Sequence, residues 1–162
     1  MTEFISVTER NFISNFLVTD PLSYDRITDE LTIGNWSAAM AIRSLDLLNV
    51  AVINSADELE GVGAEFDIIV PHGAVSVDRL NKNADAINDI QLSGKQLFIN
   101  CAQGMERSVL NGVWWLHRHR DMTVDDAQKL IESKRAVATN RLHWIGRAVP
   151  SYTSDLDDAE WE

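Results

Sequence analysis

FINCAQGMERSVLNG, residues 98–112, joins two apolar segments through a short polar turn. The run QLFIN, residues 96–100, predicts a buried strand, and the strongly apolar residues 108–119 predict a buried helix. Cys101 opens the turn, Gly104 lies inside it and Arg107 closes it. A strand, a loop and a helix in this order place the loop at the carboxyl edge of a sheet, where open α/β folds bind ligands.

The rest of the chain alternates extended and helical segments. Strands are predicted for VAVINSA (residues 50–56) and EFDIIVP (65–71), and two short extended pieces with a turn at residues 28–30 are predicted within RITDELTIG (26–34). Helices are predicted over residues 8–17, over 37–49 with Ser37 as N-cap, over 78–92, and after Thr123 as N-cap. This alternation predicts an α/β three-layer sandwich, with a central, largely parallel sheet of four to five strands and helices on both faces.

Composition limits the class of protein and its surroundings. The 162 residues are 45% hydrophobic, enough for one substantial core, and a formal net charge of −11 disfavours nucleic acid and anionic membrane surfaces as partners. A single cysteine fits a reducing, cytoplasmic location. We expect a monomer without a signal peptide, a membrane span or a cofactor. We also expect no metal site, because the sequence has no second cysteine and no helix-spaced His and carboxylate cluster.

The residue types of the loop favour binding and attacking an anion. Unpaired amides at a helix N-terminus carry partial positive charge, bind phosphate and lower the pKa of a cysteine. Gly104 permits a curled backbone, Arg107 offers a planar fork for two phosphate oxygens, and the Ser108 hydroxyl can donate a hydrogen bond to a thiolate. The alternative is that Cys101 is only a small core residue at a strand end.

The segment CAQGMERS resembles the signature loop of cysteine-dependent protein phosphatases, in particular the dual-specificity branch. The resemblance extends through ITDELTIGNWSAA, LLNVAVINSADEL and HRDMTVDDAQKLIESKRAVATNRLHW, and so covers about residues 26–144. It implies a catalytic domain over residues 26–150, flanked by an N-terminal extension (1–25) and an acidic C-terminal tail (151–162).

This resemblance also implies roles for individual residues. Cys101 is the expected nucleophile of a two-step, metal-independent hydrolysis of phosphate monoesters, Arg107 the group that binds the phosphoryl oxygens, and Ser108 the residue that assists thiolate departure. The substrate phosphate would lie on the backbone of Ala102, Gln103, Gly104, Met105 and Glu106. Phosphotyrosine is the first expected substrate, with phosphoserine and phosphothreonine as further candidates and a small phosphate ester as another.

Three positions depart from the family pattern. Asn100 stands where the family usually has a histidine before the cysteine, although an amide can still bond the loop backbone. His72 stands where the family has its aspartate general acid; Asp78 is the alternative acid, although it is also an expected cap of the next helix. Glu106 precedes Arg107 and would oppose a phosphate if it pointed inward. An inactive pseudophosphatase that binds phosphorylated partners therefore remains the alternative function.

Two further residues fall where the family places loops near the pocket. Arg141 is expected at the surface, with a role at the pocket rim as the alternative. Trp36 follows Gly34 and Asn35 in an expected loop that approaches the pocket, and a substrate-facing side chain is the less favoured interpretation.

Overall fold

A computed structural model describes residues 21–146 of the chain. The predicted helix over residues 8–17, the acidic tail over residues 151–162 and most of the N-terminal extension lie outside the described residues. Within residues 21–146, no helix is both long and apolar enough to cross a membrane.

In the described part of the chain, five strands form one sheet, which confirms the predicted α/β class. They are β1 (Tyr24–Arg26), β2 (Leu31–Gly34), β3 (Val50–Asn54), β4 (Phe66–Asp67) and β5 (Gln96–Asn100), in the spatial order β1-β2-β5-β3-β4. Only β1 pairs antiparallel, with β2, and the other neighbours are parallel. The central strand β5 places Asn100 level with Gly34 on one side and Asn54 on the other. Cys101 therefore emerges at the middle of the carboxyl edge of the sheet.

Within residues 21–146, four α-helices cover the two faces of the sheet. They are α1 (Trp36–Ser44), α2 (Val77–Leu92), α3 (Arg107–His119) and α4 (Val124–Lys134), with 3₁₀ turns at Asp57–Leu59 and Leu142–Trp144. Residues of β5 alternate between the faces: Leu97 and Ile99 join the core under α3 and α4, and Phe98 joins the core under α1. The predicted three-layer arrangement is confirmed.

Local signals predicted some element boundaries and missed others. Thr123 caps α4 as predicted, through a hydrogen bond from the Asp126 amide to its hydroxyl (3.1 Å). The prediction of Ser37 as N-cap of α1 is wrong: Asn35 is the cap and accepts from the Ala38 amide (2.9 Å). Helix α1 also ends at Ser44 rather than at residue 49. The strand predicted over residues 65–71 is shorter, because only Phe66–Asp67 pairs along β3.

Candidate active site

The loop of residues 101–106 connects β5 to α3 and turns its carbonyls away from its centre. The four carbonyls of residues 102–105 all accept hydrogen bonds from outside the loop. The donors are Trp36 N to Ala102 (3.1 Å), Arg135 Nη2 to Gln103 (3.2 Å), Arg135 Nε to Gly104 (2.7 Å) and Thr139 N to Met105 (2.8 Å). Because C=O and N–H point in opposite directions across a trans peptide, outward carbonyls turn the following amides inward. The result is a concave row of donors, which suits an anion.

Gly104 lets this loop approach the sheet closely. Its φ of +70° lies in the left-handed region, and a Cβ built there would come within 2.5 Å of the backbone carbonyl of Gly34. A side chain at position 104 would therefore push the loop away from β2.

The Cys101 sulfur lies at the centre of the concave side. The residue is 3% exposed, and its Sγ is 3.2 Å from the Ser108 hydroxyl. Burial, the largest single influence, raises the pKa of the Cys101 thiol, but hydrogen bonds from the Ser108 hydroxyl and from the amides of Ser108, Glu106 and Met105 outweigh it. The net pKa is lower than usual, which favours a thiolate, the reactive form of cysteine.

Arg107 begins α3 and is held by two carboxylates. Glu58 accepts from Nη1 at 2.5 Å and from Nη2 at 2.7 Å, and Asp57 accepts from Nη1 at 3.2 Å. The hydrogen bond to Glu58 is the main reason that the pKa of Arg107 is raised; burial opposes it, and the nearby Cys101 thiolate adds to it. The same pair lowers the pKa of Glu58 to about 2. Arg107 Nε is buried and has no hydrogen-bond partner within residues 21–146.

Asn100 is fully buried beneath the loop. Its Nδ2 donates to Asn54 Oδ1 (3.3 Å) and weakly to the Cys101 carbonyl (3.4 Å), so the amide does reach the loop backbone. Its Oδ1 has no partner in the part of the chain that is described. Asn100 thus supports the loop from below and does not touch the Cys101 sulfur through any hydrogen bond among the described residues.

Glu106 turns its carboxylate out of the loop. Arg141 Nε donates to its Oε2 at 2.6 Å, and His72 Nε2 lies 3.9 Å from its Oε1. The carboxylate therefore belongs to the rim of the site, while the amide of the same residue bonds the Cys101 sulfur. Arg141, expected at the surface, proves to be a partner of the loop.

The two candidate acids lie in different surroundings. His72 approaches the loop through Glu106, and its ring packs on Trp144 with centroids 4.8 Å apart. Asp78 lies in the first turn of α2 and pairs with Lys82 at 3.0 Å, and none of its ion pairs or hydrogen bonds within residues 21–146 reaches the loop. The expectation that Asp78 caps α2 is wrong, because Ser76 Oγ accepts from the Arg79 amide at 3.0 Å.

Sequence reasoning missed two residues that support the site, Glu58 and Arg135. Glu58 follows the end of β3, the strand beside β5, so a carboxylate at that edge was a usable signal. Arg135 follows α4, is 0% exposed, and gave no local signal, since its loop contacts lie 31 and 32 residues away in sequence. Trp36, expected in a loop, instead begins α1 and is buried at 5% exposure. Within residues 21–146, no group of three or more His, Cys, Asp or Glu side chains is arranged to hold a metal ion.

The chain is similar in structure to dual-specificity and tyrosine phosphatases. Human DUSP28 matches with a TM-score of 0.63 at 21% identity, over 76% of this chain and 88% of that one. Tk-PTP in its active form matches with a TM-score of 0.62 at 22% identity, over 75% and 90%. The human tyrosine phosphatase-like serine/threonine/tyrosine-interacting protein matches with a TM-score of 0.61 at 14% identity, over 75% and 89%.

No protein-family model matches the chain. The fold is nevertheless that of the dual-specificity phosphatases, and the Cys101 loop occupies the carboxyl edge of its sheet.

Proposed function

We propose that this protein hydrolyses phosphate monoesters through a cysteinyl-phosphate intermediate on Cys101. One observation carries the proposal: a buried, amide-bonded sulfur shares its loop with an arginine whose Nε has no partner within residues 21–146. That Nε is a donor left over for a phosphoryl oxygen, and the inward amides supply the remaining donors. Preorganised donors of this kind stabilise the charge that develops on a transferring phosphoryl group.

The first step transfers the phosphoryl group to sulfur. The Cys101 thiolate attacks phosphorus, an S–P bond forms, and the P–O bond to the ester oxygen breaks. The leaving oxygen takes a proton from an acid at the rim. His72 and Asp78 are both candidates, and the geometry favours His72, because it approaches Glu106 of the loop and Asp78 pairs instead with Lys82.

The second step returns the enzyme to its starting state. Water attacks phosphorus, the S–P bond breaks, and inorganic phosphate leaves; the water proton returns to the acid that gave one up. The Ser108 hydroxyl lies 3.2 Å from the sulfur and can stabilise the departing thiolate by a hydrogen bond. Metal is not needed for either step, because amides and Arg107 bind the oxygens.

Phosphotyrosine and other aryl phosphates are the proposed substrate class. Their phenolate leaving groups depend less on a strong acid than alkoxides do, which suits a site without an aspartate at position 72. Gln103, Met105 and Glu106 add no positive charge to the loop, so a highly phosphorylated polyanion is a poor match. Phosphoserine and phosphothreonine are the slower candidates, and the cytoplasm is the proposed location.

Turnover and trapping on one enzyme preparation test this proposal. Wild type should hydrolyse para-nitrophenyl phosphate and a phosphotyrosine peptide, and acid quenching during turnover should yield a phosphorylated peptide that contains Cys101. Cys101→Ser should lose turnover and trapping while it still binds the product phosphate. Turnover that survives in Cys101→Ser would overturn the proposal. Phosphate binding without any Cys101-dependent turnover in wild type would instead establish a phosphate-binding pseudophosphatase.

A further inference from the structure

Three separate chain segments meet at one side of the Cys101 loop and form a rim cluster of His72, Glu106, Arg141 and Trp144. Trp144 is 5% exposed and serves as a platform: the His72 ring packs against it, tilted by 54° with centroids 4.8 Å apart, and the Arg141 guanidinium carbon lies 5.5 Å from its ring centroid. The Glu106 carboxylate lies between the Arg141 guanidinium and the His72 ring, with Oε2 bonded to Arg141 at 2.6 Å and Oε1 facing His72 at 3.9 Å.

Backbone bonds fix this platform to the loop that carries His72. Val75 donates to the Trp144 carbonyl at 3.0 Å, and Gly146 donates to the Val75 carbonyl at 2.8 Å. The segment that carries Arg141 and Trp144 is also fixed to the Cys101 loop, because the Thr139 amide donates to the Met105 carbonyl at 2.8 Å. His72 is 65% exposed in its side chain, so the carboxylate and the indole are what restrict its orientation.

Glu106 contacts both the Cys101 sulfur, through its backbone, and the rim cluster, through its side chain. Its backbone amide is one of the hydrogen-bond donors to Cys101 Sγ, and its carboxylate faces the imidazole. We propose that Glu106 is a positioning residue that holds the His72 imidazole at the mouth of the loop as the proton donor of the first step. This inference rests on the proposed hydrolysis and adds to it the group that orients the acid.

The two ring nitrogens of His72 have different roles in this proposal. His72 Nε2 faces the carboxylate, so Nδ1 is the nitrogen left to act on substrate. In the first step the Nδ1 proton passes to the ester oxygen as the P–O bond breaks, and His72 becomes neutral. In the second step Nδ1 takes a proton from the attacking water. Arg141 neutralises the other carboxylate oxygen and keeps Glu106 away from the phosphate.

A double-mutant cycle with two leaving groups tests this role. His72→Gln should lower kcat on a phosphotyrosine peptide about 100-fold, at the low end of what general acids contribute. Glu106→Gln keeps the size of the side chain and an acceptor for Arg141, and it should lower that kcat about 10-fold with KM within about twofold. Both variants should remain within about twofold of wild type on para-nitrophenyl phosphate, whose leaving group needs little protonation.

The double variant decides whether Glu106 acts through His72. If it does, His72→Gln/Glu106→Gln should be no slower than His72→Gln alone. Losses that multiply, or equal losses on both substrates, would overturn the inference and leave Glu106 as a structural part of the loop. Asp89→Asn, on the exposed face of α2, is the charge-matched control and should leave both rates unchanged. Turnover independent of Cys101 would overturn the proposed function itself, which the Cys101→Ser arm detects separately.

Discussion

Replacing Arg135 with methionine should loosen the Cys101 loop, because Arg135 holds two of its carbonyls. The guanidinium is 0% exposed and donates to the carbonyls of Gly104 and Gln103 (2.7 and 3.2 Å), to Asp25 (2.9 Å) and to Ser23 Oγ (3.0 Å). Methionine fills much of the same space but donates nothing. Each buried carbonyl left unpaired costs about 1–3 kcal/mol. The Asp25 carboxylate is partly exposed and can regain water, so the loss of its ion pair with Arg135 adds little to the destabilisation.

The expected destabilisation is therefore about 3 kcal/mol, a large share of the 5–15 kcal/mol that typically stabilises a domain. Arg135→Lys keeps the charge but offers no planar fork, so it should lose about half as much. Urea unfolding followed by tryptophan fluorescence gives both values from the midpoints, if the slope m is unchanged. Once these carbonyls are released, the peptide groups can rotate and their amides need no longer point at the Cys101 sulfur. We therefore expect kcat to fall at least 10-fold in the folded Arg135→Met enzyme.

Arg120→Met supplies the matched control. Arg120 also bonds a carboxylate, Glu30 (2.8 Å), and lies over the Trp115 ring at 4.5 Å, but it follows the far end of α3 from the loop. The Arg120→Met variant should be less stable than wild type but should keep the wild-type kcat. If Arg135→Met, measured well below its melting temperature, kept kcat within about twofold, the argument that Arg135 sets the amide geometry would be refuted.

Three other variants test single features of the site. Gly104→Ala should cost about 1–3 kcal/mol in urea unfolding and most of kcat, since φ there is +70° and the new methyl group would meet the backbone of β2. Glu58→Gln should remove about 1 kcal/mol of stability, a small value because the ion pair is partly exposed. The Arg107 pair lowers the pKa of Glu58 to about 2 in the folded state, so this contribution is present above pH ~4.5 and is lost as pH falls toward 2. Unfolding free energies of wild type and variant, measured as a function of pH, should therefore differ at neutral pH and converge in acid. Ser108→Ala removes a hydrogen bond that lowers the pKa of Cys101, so the acidic limb of the kcat/KM profile should move to higher pH, and slower thiolate departure should give a burst in stopped-flow assays.

The sequence was sufficient where local chemistry decides the outcome. Cys101, Arg107 and Ser108 lie within eight residues, between an apolar strand and an apolar helix, so their grouping needed no long-range information. Thr123 followed by Asp125 and Asp126 likewise predicted the start of α4. The alternation of strand and helix patterns then gave the parallel sheet, because parallel strands require crossover helices.

Long-range contacts explain the errors. Asn35 and Ser37 are both good N-caps, and the choice between them depends on Pro21 and Ser23: Asn35 Nδ2 donates to the Pro21 carbonyl (2.8 Å), and its Oδ1 accepts from the Ser23 amide (3.2 Å). No periodicity within α1 contains that information. The same holds for Glu58, whose partner Arg107 is 49 residues away in sequence.

The charges around Cys101 are closely balanced, although the chain as a whole is acidic. Arg107 is matched by Glu58 and Asp57, and the buried Arg135 is matched by Asp25, so neither cation contributes much uncompensated charge. The positive potential at the sulfur therefore comes mainly from inward amides at the start of α3, which act over a short range. If the site binds substrate as proposed, these short-range donors suit one phosphoryl group. The proposed substrates are therefore monoesters that carry a single phosphate.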